Sequence, residues 1–163
     1  LGLILAISSR LDNARITKDL ASTAMLMSEG EMIESRLETS DDVTFDDYLK
    51  VIEYKTATAF EVAARAGAII AGGSEEQIEA LSEYGINLGI AYQIRDDLFD
   101  WKNEDKLFNI LIKKSSDPRD IFDKMEELLK QYAEKARAGL RIIPDNDAKI
   151  NLENLIKFTS FKA

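Results

Sequence analysis

Apolar residues recur every three to four positions along most of this chain, and no stretch shows the strict alternation a half-buried strand needs. The opening LGLILAISSR reads as part of a helix. A second helix is predicted from about Thr17 to Leu37, and the polar run ETSDDVT breaks it. Thr44, with Asp47 three residues on, has the form of an N-cap for a third helix from Phe45 to roughly Ala71, where Gly72 and Gly73 stop it. Ser74 followed by Glu75, Glu76 and Gln77 is a capping box opening a fourth helix over about 75–101. Asp117-Pro118 places a cap and a first-turn proline before a fifth, about 118–140, and Asp145 is the expected cap of a last one, about 146–160. Between them KNEDKLFNILIKKSS, residues 102–116, is too short for another long helix and lacks clear caps. The expected fold is all-α, a single domain over 1–163 built as a bundle of long helices.

Two of these helices carry residues that a plain core does not require. At about 100° per residue, Ile86, Gly89, Gln93, Asp97 and Asp100 share one sector of the fourth helix with Asp96, while Ile94, Leu98 and Ala91 lie opposite. Apolar residues cover most of the circumference, as in a helix surrounded by others. Gly85 and Gly89 would let a neighbour approach closely. The acids either mark a solvated face or line a cavity. In a cavity, carboxylates this close repel one another, and a divalent cation with hard oxygen ligands, such as Mg²⁺, removes that penalty. On the third helix Lys55 shares the apolar face with Val51, Ile52, Ala59, Val62, Ala63 and Ala66, and Thr56 stands beside it. A lysine there either snorkels to the edge of a core or binds an anion. Glu31 and Glu34, one turn apart on the second helix, are either a surface patch or more lining of the same cavity.

Composition narrows the chemistry. The chain has neither cysteine nor histidine, so thiolate or imidazole metal sites, Ser-His-Asp triads and Cys-His dyads cannot form within it. The lack of cysteine is in keeping with a reducing compartment. A net charge of −9 argues against a nucleic-acid surface, which normally shows a basic stripe. It leaves room for a phosphorylated ligand, because a local cation outweighs the overall field. The apolar run at the start has seven residues and no basic segment before it, unlike a signal peptide or a membrane span.

The strings MLMSEGEMIE, YLKVIEYKTATAFEVAARAGAIIAG and LSEYGINLGIAYQIRDDLFD occur in one order across residues 20–101. In that order and spacing they resemble the C-terminal half of the trans-isoprenyl diphosphate synthases, the polyprenyl synthetase family. A bare DDxxD is weak, but one preceded by GxxLGxxxQ, with YKT-A some forty residues upstream, is specific. The resemblance implies an isoprenoid synthase fold with a deep central cavity, and a cytoplasmic homodimer without stable membrane insertion. It implies a Mg²⁺-dependent prenyltransferase that condenses isopentenyl diphosphate with an allylic diphosphate. By resemblance, Asp96, Asp97 and Asp100 are metal ligands, Asp96 most directly. Lys55 contacts the allylic diphosphate, Thr56 and Gln93 stand near the allylic cation, and Tyr92 lies beside the growing chain. Glu31 and Glu34 are placed with the substrate-binding residues.

The chain also departs from the family pattern. Members are about twice as long and carry a first aspartate-rich motif and basic residues for isopentenyl diphosphate, which have no counterpart here. After Asp100 a lysine-bearing loop is expected, yet DWKNED runs into KLFNILIKK. The expectation is therefore a part of a longer polypeptide, lacking an N-terminal half and a loop near 103–112, with half a metal site and no catalysis by this part alone. The motif style leans toward a short-chain prokaryotic synthase of the geranylgeranyl diphosphate type. Three other readings stand beside it: a non-catalytic subunit of a heteromeric synthase, a class I terpene cyclase, and a helical interaction module. The KT and YQIRDD strings favour elongation over cyclisation.

Overall fold

A computed structural model describes residues 2–40, 42–101 and 107–160 of the chain. Among these the regular structure is helical throughout. Helices α1 (Gly2–Ser8) and α2 (Ala14–Leu37) are followed by α3 (Phe45–Ile52), which runs through a π turn (Glu53–Ala57) into α4 (Thr58–Ile70). Then come α5 (Glu75–Phe99), α6 (Leu107–Lys114), α7 (Pro118–Gly139) and α8 (Asp147–Ser160).

The capping signals place most boundaries. Thr44 and Ser74 both form complete capping boxes, with Asp47 and Gln77 answering the cap backbone. Asp117 accepts from the Arg119 N–H ahead of the first-turn proline. At the end of α4, Gly72 takes a φ of 71°, which a residue without Cβ adopts at no steric cost. Three expectations need correction. α2 begins earlier than Thr17, because Asn13 accepts from the N–H groups of Arg15 and Ile16. At α8 the carboxamide of Asn146 accepts from the Lys149 N–H, while Asp145 instead pairs with the Lys149 ammonium at 2.8 Å. The apolar part of the 102–116 segment forms α6, burying Leu107, Phe108 and Leu111. Residues 103–106 of the expected loop position lie outside the described residues, and 107–112 belong to this helix.

α5 is the axis of the bundle. It packs along α4 and α7 and also touches the π turn, α3 and α8. Its buried residues, from Ile78 through Tyr84, Leu88 and Ile90 to Ile94, lie all round the helix, as a helix enclosed by others requires. Two apolar cores flank it. One joins Tyr48, Val51, Ile52, Ile90, Ile94, Phe108 and Met125; the other joins Tyr84, Leu88, Ala136, Leu140 and Ile156. Glycines set the closest approaches. A Cβ on Gly85 would lie 2.6 Å from the Phe60 carbonyl oxygen, and one on Gly89 would lie 2.5 Å from the Ala57 Cα. The expected close approach at these two glycines is therefore present, with α4 and the π turn as the neighbour. Among the described residues no helix is long and apolar enough to cross a membrane.

Candidate functional site

The third helix was expected to run unbroken past Lys55, but five residues around it form a π turn. The Thr58 N–H reaches back to the Glu53 carbonyl, five residues away, and the Thr58 hydroxyl donates to the Tyr54 carbonyl at 2.8 Å. The extra residue widens the helix locally, and glycines on both neighbours make room for it. A Cβ on Gly30 would meet Lys55 and Tyr54 at 3.0 Å, and Gly89 faces Ala57 from the other side. The insertion rotates everything downstream by about one residue, roughly 100°. Of the residues expected on the inward face with Lys55, Val51, Ile52 and Val62 are buried, whereas Ala63 is exposed.

The π turn, α5, α3 and α6 enclose a cavity of about 270 Å³, with Glu34 and Glu38 of the α2 end at one side. Lys55, Thr56, Gln93 and Asp97 line it together with Tyr48, Val51, Ile52, Leu107 and Phe108. Lys55 is ion-paired with Glu34 and lies 3.3 Å from Glu31 Oε1. Burial pulls its pKa down, but the hydrogen bond and charge of Glu34, then Glu31, outweigh this and hold it above the ordinary 10.5. The ammonium is thus charged at neutral pH. Next to Lys55 on the same turn, the Thr56 hydroxyl donates to Gln93 Oε1 at 2.9 Å, and Gln93 Nε2 donates to Asp97 Oδ1 at 3.2 Å. Asp97 Oδ2 accepts from the Tyr48 hydroxyl at 2.7 Å. Tyr48 is 1% exposed and Asp97 4%, so this pair lies inside the bundle. Burial, then the Asp97 charge, keeps the Tyr48 hydroxyl well above the usual phenol range.

Lys55, Thr56, Gln93, Asp97 and Glu34 therefore meet at one cavity, and Glu31 reaches it through Lys55. Tyr92 does not line this cavity; it is exposed and packs its ring on Phe60 at 5.4 Å. The three aspartates take different environments. Asp97 is buried, Asp96 is half-buried, and Asp100 is exposed where the backbone leaves the helix at φ −95°, ψ 20°. Among the described residues no group of three carboxylates is arranged to hold a metal ion by itself. A divalent cation of the Mg²⁺ kind uses one or two protein carboxylates and completes its shell with water and phosphate oxygens. Asp96 and Asp100 fit that donor set. They also stand at the C-terminal end of α5, where the helix dipole adds negative potential and favours a cation.

Sequence reasoning missed Tyr48 and Thr58. Tyr48 precedes Val51, Ile52 and Lys55 at helical spacing, so a hydroxyl on the apolar stripe of α3 was the available signal. Thr58 has no counterpart signal, because its role exists only once the helix widens.

Among the described residues the bundle is all-helical, Lys55 and the Thr56–Gln93–Asp97 row line one cavity, and Asp96 and Asp100 stand at the end of α5. The polyprenyl synthetase family model matches residues 1–117, and the chain belongs to that family. A geranylfarnesyl diphosphate synthase from Natronomonas pharaonis is 42% identical over 82 residues, which are 50% of this chain and 24% of that protein. The crystal structure of a decaprenyl diphosphate synthase from Rhodobacter capsulatus superposes with a TM-score of 0.83 at 27% identity, covering 96% of this chain and 62% of that one. A polyprenyl synthase from Caulobacter crescentus, complexed with calcium and isoprenyl diphosphate, gives a TM-score of 0.84 at 26% identity, covering 97% and 62%. The match thus spans about a quarter of the curated relative's length and under two thirds of the solved chains. The names run from geranylfarnesyl to decaprenyl products, so similarity selects a family and not a chain length.

Proposed function

We propose that this chain supplies one wall of the active site of a Mg²⁺-dependent prenyltransferase that lengthens an allylic diphosphate with isopentenyl diphosphate. The observation that carries the reading is a single cavity lined by both the Lys55 ammonium and the Thr56–Gln93–Asp97 ladder. In the reaction the allylic C–O bond breaks and its electron pair leaves with diphosphate. The isopentenyl double bond then bonds to the allylic carbon, and loss of a proton gives a chain five carbons longer. Lys55 moves from Glu34 toward the phosphate oxygens and neutralises part of the charge that develops on the leaving group. Asp96 and Asp100 would hold Mg²⁺, which supplies further neutralisation of the diphosphate. Thr56 and Gln93 orient the cation and are too weakly nucleophilic to trap it. Apolar Leu107, Phe108, Val51 and Ile52 keep water from the same space. A cytoplasmic homodimer belongs to this reading.

One observation favours a second reading, a non-catalytic subunit of a heteromeric synthase. Lys55 is the one cation among the described lining residues, and two carboxylates already share it. The deciding experiment supplies the full-length protein that contains this chain with Mg²⁺, isopentenyl diphosphate and dimethylallyl, geranyl or farnesyl diphosphate. Release of inorganic diphosphate with a prenyl product longer by five carbons is expected. Product only with a co-purifying partner would establish the second reading, and no condensation in either case would overturn both.

A further inference from the structure

The ladder along the cavity wall has a direction, and the chemistry of its members fixes it. A carboxylate has no proton to give, so Tyr48 and Gln93 must both donate to Asp97. Gln93 therefore turns its amino group toward Asp97 and its carbonyl oxygen toward Thr56. That oxygen can only accept, so Thr56 commits its single hydroxyl proton to Gln93. What Thr56 has left for the cavity is lone pairs. Tyr48 pins the far end from the core, where the burial of both groups makes an unmade hydrogen bond costly.

We infer that Asp97, held by Tyr48, is a positioning residue that sets the polarity of this wall. It makes the wall present oxygen lone pairs at Thr56 and Gln93, which favour positive charge and disfavour an anion at that spot. The inference rests on the proposed function and deepens it. Within the one cavity the Lys55 ammonium serves the diphosphate, and the Thr56 and Gln93 oxygens serve the allylic cation. Asp97 orients those oxygens without touching the cation.

Asp97→Asn tests the idea because it can keep every bond while reversing the ladder. The new amide accepts from Tyr48 through its oxygen and donates to Gln93 through its nitrogen. Gln93 must then flip and donate to Thr56, whose proton turns into the cavity. Adding Gln93→Glu restores an acceptor between the two donors and returns the Thr56 proton to the wall. The probes are dimethylallylammonium, a stable cation shaped like the allylic fragment, and inorganic diphosphate with Mg²⁺, each titrated separately by calorimetry. Asp97→Asn is expected to weaken ammonium binding about tenfold, the scale of one hydrogen bond to a charged group. Diphosphate binding stays unchanged, and the double variant regains the ammonium. Unchanged ammonium affinity, or parallel loss of both probes, overturns the inference; the second outcome would mean that Asp97 acts through the metal. Asp97→Asn also removes a negative charge, and Gln93→Glu returns one. Thr56→Ser and Thr56→Val therefore separate ladder polarity from bare charge, and they decide as well where circular dichroism shows that Asp97→Asn does not fold. The serine variant should bind the ammonium and the valine variant should not; equal binding refutes the assignment. Wild-type protein that fails to bind Mg²⁺-diphosphate would sink the functional reading, while the ammonium titrations still decide the polarity of the wall.

Discussion

Gly89→Ala should destabilise the protein, and the structure gives the size. The added Cβ would sit 2.5 Å from Ala57 Cα and 3.0 Å from Ala57 Cβ, whereas carbon atoms in contact prefer about 3.5–4.0 Å. The obstacle is backbone in the π turn, so no rotamer change relieves it, and α5 must move away by about 1 Å. Overpacking of this kind costs about 1–3 kcal/mol, and a backbone clash belongs at the upper end. The better helix propensity of alanine returns about 1 kcal/mol. The net loss is about 1–2 kcal/mol, or about 2–8 °C in Tm for a chain of this size. Gly67 is the internal control. It is exposed in α4, and a Cβ there meets nothing within 4 Å. Gly67→Ala should raise stability by about 1 kcal/mol, since only propensity and unfolded-chain entropy change. Urea melts and thermal scans of the two variants should shift in opposite directions. Gly89→Ala as stable as the wild type would refute the claim that this glycine sets the approach of α5 to the π turn. The same movement would stretch the 2.9 Å Thr56–Gln93 hydrogen bond, so turnover should fall with stability.

Other expectations follow from individual groups. Lys55→Ala and Asp96→Ala should each lower condensation by orders of magnitude with an unchanged circular dichroism spectrum; a collapsed spectrum would make these residues structural. Glu34→Gln removes one of the two carboxylates sharing Lys55, so Mg²⁺-diphosphate should bind several-fold more tightly at low ionic strength; unchanged affinity in a titration would mean that the ion pair does not compete with the ligand. Asp47 is held below the ordinary 3.8 by the Thr44 hydroxyl and then by the Thr44 N–H. A lowered folded-state pKa contributes stability above the unfolded value and loses it as pH falls through the folded one. The stability gap between wild type and Asp47→Asn should therefore be constant at neutral pH and close below about pH 3.8; a gap that persists in acid would assign the cap's contribution to something other than its charge.

Local signals in the sequence determined the helices. Thr44 with Asp47, Ser74 with Gln77 and Asp117 ahead of Pro118 each satisfy orphan N–H groups within one turn, so their effect does not wait for tertiary packing. The spacing of Lys55, Thr56, Gln93 and Asp97 was legible for the same reason, because residues on one helix share a face whatever the helix packs against. What each face meets was settled by packing. The π turn exists where Gly30 and Gly89 leave room for a widened helix, and those glycines lie 25 residues before and 34 after Lys55. That turn holds Thr56 against Gln93. Packing also separated three aspartates that the sequence presents as one group. Asp97 was drawn inside by a tyrosine 49 residues away, while Asp100 left the helix at its cap. Burying a carboxylate is tolerable only where donors await it, and which donors lie close enough is a property of the folded bundle.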